Sequence, residues 1–515
     1  MPIGCRRCPK NSTHVLIFRD YEDRCLPLCL PAALYDAAGT CDGCGSIRGM
    51  PFARSLRGYL LSRHKVGSQN RAPTVAYAAL VLYVLVLFIR PQEWVPIVYG
   101  QPVLKWVIGA AVVTWLGSLM HSNWRLRDAP QNWLMLGLFF AVLMSHIAHT
   151  YLGGAIEAFL DFGKVVLLYF LIVSLVTSVK RAKGLLLAMV VGCLFMAAWG
   201  IWQAHSPDHY GFAVYGDNPS YYQAVIQQPD IPGGQPEIVR VRALGIFRDP
   251  NDLSLMLVAV LPFLFGTALS SAASTMVRVL SLAAAAPMLY CVYLTNSRGG
   301  WLALGVMLVA FLYTHIPSRK VGLALAGAAC VAVLALGPSR MATISSEEGS
   351  ARGRLIAWGE GNRMLKQWPL FGAGQGRFME FSDSRRVAHN SFVHCWAELG
   401  LFGYFFWLGM VVATLKDAWA LSKVQSEDQG AAELGRLGKA GFAGFIGFMA
   451  ATLFLSRAYV VPPYILFALL AALRVLYEKN CGPLASSFMP RHWKYVLAAE
   501  LMSIPALYLA LRLIQ

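Results

Sequence analysis

The chain has 515 residues, 57% of them hydrophobic and only 14% charged, against roughly 25% charged in a soluble domain. That excludes an ordinary soluble globular protein and points to an integral membrane protein. The formal net charge of +17 falls largely in loops beside apolar runs, so it reads as membrane orientation and not as nucleic-acid binding.

The first segment differs from the rest. Residues 1–72 read as a basic, cysteine-rich cytoplasmic tail with no evident core, and six of the eleven cysteines lie within the first 44 positions. Cys5 with Cys8 and Cys41 with Cys44 form two C-x-x-C pairs that can hold a tetrahedral zinc, although their separation exceeds the usual ribbon spacing. A disordered tail, or an extension ahead of a start at Met50, is the alternative. The apolar patch "LPLCLPAALY" is too short and proline-broken for a secretory signal.

Thirteen apolar runs follow, near 74–90, 103–120, 132–149, 163–179, 184–203, 252–270, 276–294, 299–316, 320–337, 391–414, 438–456, 460–477 and 495–513. A hydrocarbon core takes about 20 helical residues to cross. With no water there to satisfy the backbone, such runs must be helices. The expected fold is therefore all-α and polytopic, with about 12–13 transmembrane helices and a large, partly helical periplasmic loop. Membrane helices fill 73–337 around an external loop at 204–251, the large loop fills 338–390, and further helices fill 391–515.

Short basic loops stay in the cytoplasm. "HSNWRLRDAP" (121–130), "SVKRAKG" (178–184) and "HIPSRK" (315–320) agree with one another under alternation and put the N-terminal tail inside. The same alternation puts 204–251, the turn at 295–298, the loop at 338–390 and "SRAY" at 456–459 outside.

The outward segments carry the titratable chemistry. In "VRVRALGIFRDPNDLSLML" (239–257), Arg240, Arg242 and Arg248 precede a helix that Asp249-Pro250 would cap. Arginine forks beside a helix N-terminus make a seat for phosphate or diphosphate. "LTNSRGGWLAL" (294–304) puts Arg298 in a tight turn, where it serves either such a ligand or lipid headgroups. In "SARGRLIAWGEGNRMLKQWPLFGAGQGRF" (350–378), Leu355, Trp358, Leu365 and Trp368 recur at helical spacing near Arg354. The glycine cluster follows no strand and lacks a lysine–serine pair, which excludes a nucleotide loop. In "HNSFVHCWAELGLFG" (389–403), His389 stands at a helix mouth, Asn390 can cap that helix, and Glu398 lies nine residues on. A histidine there is either an interfacial side chain or a general base near neutral pH. His394 reads as packing.

In this order, "RALGIFRDPND" (242–252), "NSRGGWLAL" (296–304), "RLIAW" with "PLFGAGQGRF" (354–378) and "HNSFVHCWAELGLFG" resemble the O-antigen ligase family. That family also includes O-antigen polymerases and O-oligosaccharyltransferases of bacteria. The likeness spans roughly 74–480, fits the pattern His389, Asn390, then Gly400, and implies twelve spans where thirteen runs are present. It implies a glycosyltransferase of the bacterial inner (cytoplasmic) membrane, active on the periplasmic face without metal, cofactor or nucleotide sugar. The donor would be a glycan on undecaprenyl diphosphate. The acceptor would be a hydroxyl of lipid A-core, of another glycan or of a protein. By the resemblance His389 is the base and Arg298 and Arg242 hold the diphosphate. Arg248 can stand in for Arg242, and Arg354, Asn390 and Glu398 are further candidates for substrate binding.

An O-antigen ligase-like role in lipopolysaccharide biosynthesis is the first expectation. Polymerase activity in O-antigen or exopolysaccharide biosynthesis, or protein glycosylation, comes next. A transporter or flippase for polyprenyl-linked glycans is the alternative from another class. Against it stand the lack of an internal repeat and the few charges in mid-membrane stretches.

Overall fold

The computed structural model describes residues 71–514, apart from 121–123, 217, 228–236, 317, 336 and 338–348. Cys5, Cys8, Cys41 and Cys44 lie outside the described residues. The structure is 76% helical with almost no strand, an all-α polytopic membrane protein.

A helix stands at each of the thirteen apolar runs, and one more, amphipathic, lies in the large loop. They are α1 (Arg71–Ile89), α2 (Val103–Leu119), α3 (Pro130–Ile147), α4 (Leu152–Leu175), α5 (Val179–His205), α6 (Pro250–Ala268), α7 (Thr275–Leu294), α8 (Arg298–His315), α9 (Arg319–Ala335), α10 (Gly349–Gln367), α11 (Ser391–Ser422), α12 (Gln429–Thr452), α13 (Val461–Cys481) and α14 (Trp493–Ile514). Seven, namely α1 with its following turn, α4, α5, α6, α7, α11 and α13, are long and apolar enough by themselves to cross a membrane. The other six at the predicted positions are shorter or more polar. The amphipathic helix is α10.

Some boundaries differ from the expected ones for plain reasons. Helix α4 begins eleven residues early, because Glu157, Asp161 and Lys164 interrupt the apolar pattern yet ride an exposed face. Within the external loop a small antiparallel pair forms, β1 (Val225–Gln227) against β2 (Ile238–Arg240), with Val225 opposite Arg240.

Helix α12 lies at the centre. Its glycines recur every third residue, and a Cβ at Gly444 would come within 2.4 Å of the Ala259 carbonyl oxygen of α6, one at Gly447 within 2.6 Å of Met307 of α8. Small residues in such a row let helix backbones approach closely.

The segments that alternation assigns to one side meet one another. The His149 ring bonds the Gly372 carbonyl at 2.8 Å, the Gln375 amide donates to Ser145 at 3.1 Å, and Ser391 donates to the Leu455 carbonyl at 2.6 Å. At the opposite end the Gln131 amide donates to Asp417 at 2.7 Å and Lys479 pairs with Asp128 at 2.6 Å.

Helix α11 has 32 residues, more than the about 20 that crossing a hydrocarbon core takes. It is also broken at Gly400, whose φ of 64° and ψ of −168° are not helical. The broken ladder is completed by the glycine cluster. Ala373 and Gly374 donate to the carbonyls of Ala397 and Glu398 at 2.9 and 3.0 Å, while Leu401 and Phe402 donate to those of Pro369 and Leu370 at 2.8 and 3.1 Å. Non-helical backbone near a membrane is tolerated where protein satisfies it in this way.

Candidate functional site

The site assembles at the end of the bundle where the long loop lies. His389 takes a left-handed φ of 49°, a conformation histidine visits more readily than most non-glycine residues. Each neighbour is anchored. Trp358 of α10 donates its indole N–H to the Ala388 carbonyl at 2.8 Å. Asn390 is buried and caps α11, accepting from the Phe392 and Val393 amides at 2.9 and 3.3 Å. Ser391 donates to Leu455 and accepts from the Arg457 amide at 2.9 Å. Asn390 is thus a cap, its side-chain oxygen spent on the helix start.

The loop ahead of His389 is drawn in by Glu360, a buried carboxylate that accepts from the Ser384 amide at 2.9 Å, the Ser384 hydroxyl at 2.8 Å and the Ser382 hydroxyl at 2.5 Å. Gly353 of α10 leaves room for Arg386, whose guanidinium lies 2.1 Å from where a Cβ would sit.

His389 is exposed at the rim. Partial loss of water, then Arg354, lower its pKa below the ordinary imidazole value; Arg457 and Arg386 act in the same sense, and Asp249 opposes them. An imidazole beside three guanidinium groups favours its neutral, proton-accepting form.

Arg457 was not singled out in the sequence. It forms a two-pronged pair with Asp252 of α6, Nε to Oδ1 at 2.5 Å and Nη2 to Oδ2 at 2.6 Å. Burial works against its charge, but the two carboxylate oxygens outweigh that and raise its pKa. The signal that could have found it is an arginine in a four-residue turn between two apolar runs, on the side where basic residues are scarce.

The two arginine motifs meet through side-chain hydrogen bonds. The Ser297 hydroxyl, which caps α8 by accepting from Gly300, donates to Asn251 at 2.6 Å. Arg240 donates to Asn251 at 3.1 Å and to the Thr295 carbonyl at 3.3 Å, and Asn296 donates to the Val239 carbonyl at 2.9 Å. The N-termini of α6 and α8 therefore lie side by side, with Arg298 as the first residue of α8. Gly300 is required there, since a Cβ would come within 2.1 Å of the Ser254 hydroxyl.

Arg242 and Arg248 are held differently. Arg242 spends Nε and Nη2 on the carbonyls of Gln223 and Ser220, both at 2.7 Å, and burial with the nearby Arg248 lowers its pKa. Arg248 is exposed and lies over the Tyr221 ring at 3.8 Å. Tyr221 is in turn fixed by its hydroxyl bond to Glu93. Arg354 stands 6.0 Å from the Phe454 ring.

Glu398 lies elsewhere. It is fully buried, accepts from the Gly376 and Phe378 amides at 2.9 and 3.0 Å, and pairs with His394 at 3.1 Å. Both oxygens accept backbone amides, so it locks the glycine cluster against α11. His394, which spacing alone read as packing, reaches Glu398 through Nε2.

One end of this many-helix bundle thus carries the His389 imidazole, on which Arg354, Arg386 and Arg457 act, and the adjoining N-termini of α6 and α8. Residues 283–408 match the family model described as O-antigen ligase, and this domain supports a likeness to the O-antigen ligase family. The match supports a membrane glycan transferase of that general kind. No curated protein matches the chain.

Proposed function

We propose that the chain transfers a glycan from undecaprenyl diphosphate to an acceptor hydroxyl on the periplasmic face of the inner membrane, in the manner of an O-antigen ligase. The observation that carries this reading is His389, exposed at the rim, its pKa held down by burial and by Arg354, Arg457 and Arg386 against Asp249, at the end of the bundle where the N-termini of α6 and α8 adjoin.

His389 takes the proton of the acceptor O–H. The acceptor oxygen forms a bond to the anomeric carbon while the sugar–phosphate bond breaks, and the diphosphate leaves with the electron pair. Guanidinium groups fixed in advance stabilise the developing charge without reorganising. Arg298, on α8, and the exposed Arg248 suit that role. Arg242 supports them from below, because its fork is already engaged by carbonyls. Asp252 fixes the Arg457 guanidinium beside the base.

The test is transfer from purified undecaprenyl-diphosphate glycan to lipid A-core, glycan and peptide acceptors, in the presence of chelator. Full activity in chelator with lipid A-core as the preferred acceptor, and an inverted anomeric centre in the product, supports the reading. A retained anomeric centre, or loss on chelation that added metal restores, overturns the mechanism.

The depressed pKa of His389 makes a further prediction. The neutral base persists to lower pH than an ordinary histidine would allow, so the acid limb of kcat/KM should lie below about pH 6.5. Arg354→Gln removes a cation that disfavours protonation, so the limb should move upward. Asp249→Asn removes the opposing charge, so it should move downward. A pH profile insensitive to both changes would disconnect His389 from the proton transfer.

A further inference from the structure

At the end of the bundle opposite the site, buried Asp417 of α11 accepts from the Phe488 amide at 2.6 Å. That bond draws the segment between α13 and α14 against the end of α11. It brings Lys416 to the Tyr495 ring that Lys494 and His492 also approach, with Arg491 next to His492 in the chain. None of the three cations has an ion-pair partner among the described residues. Like charges held together without a counter-charge repel one another, and an anion bound among them relieves that cost.

The surroundings narrow the kind of anion. The ammonium groups of Lys416 and Lys494 lie 5.8 and 5.5 Å from the Tyr495 ring, which holds both on one side of α14. Trp493 and Tyr495 are 56% and 54% exposed, aromatic side chains of the sort that sit at headgroup level. His492 accepts from the Met489 amide through Nδ1 at 2.9 Å, so its neutral ring carries the proton on Nε2 and offers one more donor. Three cations and an N–H at the start of a membrane-facing helix suit a phosphate at the membrane surface.

We propose that Lys416, Arg491, Lys494 and His492 form a binding site for the phosphate of an anionic phospholipid headgroup, in the leaflet opposite the glycan-transfer site. The site is separate from the proposed transfer chemistry and stands without it.

The experiment uses the full chain reconstituted in vesicles of phosphatidylcholine with a minor fraction of phosphatidylglycerol, extracted gently and weighed intact by native mass spectrometry. Wild type should retain phosphatidylglycerol in excess over its share of the vesicle. The triple variant Lys416→Gln, Arg491→Gln, Lys494→Gln should lose that excess several-fold, while a charge-keeping Lys416→Arg, Lys494→Arg variant should keep it. Inorganic phosphate at millimolar concentration should not displace the lipid. Equal retention by wild type and triple variant, or equal displacement by free phosphate, overturns the proposal. Glycan transfer in detergent should be the same in all three proteins, which separates a lost lipid site from a misfolded chain.

Discussion

Replacing His389 by alanine is expected to lower transfer by roughly 10²–10⁴-fold, the range that a positioned general base contributes, with expression and donor binding unchanged. The ring is exposed at the rim and its flanking residues are anchored independently of it. Trp358 holds Ala388, Asn390 caps α11, and Ser391 ties the helix start to Leu455 and Arg457. Removing the imidazole therefore leaves the frame. The left-handed φ of 49° at this position introduces one complication, because alanine tolerates it less well than histidine. His389→Asn meets it, since asparagine also visits that region readily but cannot accept the proton at neutral pH. Both variants should be inactive with wild-type melting behaviour and wild-type retention of the donor lipid. Near-normal turnover in either would remove His389 from the chemistry.

The helices were legible because a membrane demands an uninterrupted apolar run, and that demand is written locally. Positions were legible wherever a residue type is costly without a purpose. Arginines beside a membrane helix and a histidine at a helix mouth stand out for that reason. Pairings were not legible. Asp249 reads as a cap and is one, yet it also acts on the charge of His389, and Asn251, inside the first turn of α6, is the joint on which the α6 and α8 motifs meet. Arg457 lies 205 residues from Asp252, its partner, so no local pattern connects them. The structural roles of Glu398 and Asn390 were hidden for a related reason. Polar residues beside a functional histidine look available in a sequence, whereas the fold spends them on backbone amides. The break in α11 was hidden as well, because a glycine inside an apolar run reads as close packing until the segment that fills the gap is known.

Gly400→Val is expected to destabilise the protein strongly. A φ of 64° with ψ of −168° lies in a region open essentially to glycine alone and costs other residues about 1–3 kcal/mol. A Cβ there would also stand 2.4 Å from the Leu370 carbonyl oxygen, and backbone cannot swing aside as a long side chain can. Gly376→Asn is the matching control. Its φ is also positive, at 79°, but nothing lies within 4 Å of the added Cβ, and asparagine tolerates that region, so melting should change little. Glu398→Gln should fall between the two, since one of the two amide donors of Gly376 and Phe378 loses its carboxylate oxygen, a loss of about 1–3 kcal/mol for an unsatisfied buried group. In limited proteolysis the Gly400 and Glu398 variants should be cut within 369–378, where the wild type resists, because most of the bonds that hold that segment come from the broken turn of α11 and the Glu398 carboxylate, with His149 and Ser145 adding one each. The stability order and the cleavage site test one idea, that the glycine cluster is a plug completing a discontinuous helix and thereby aiming the helix end that carries His389. A Gly400→Val protein that melts with the wild type and resists cleavage would show that the break is incidental to the fold.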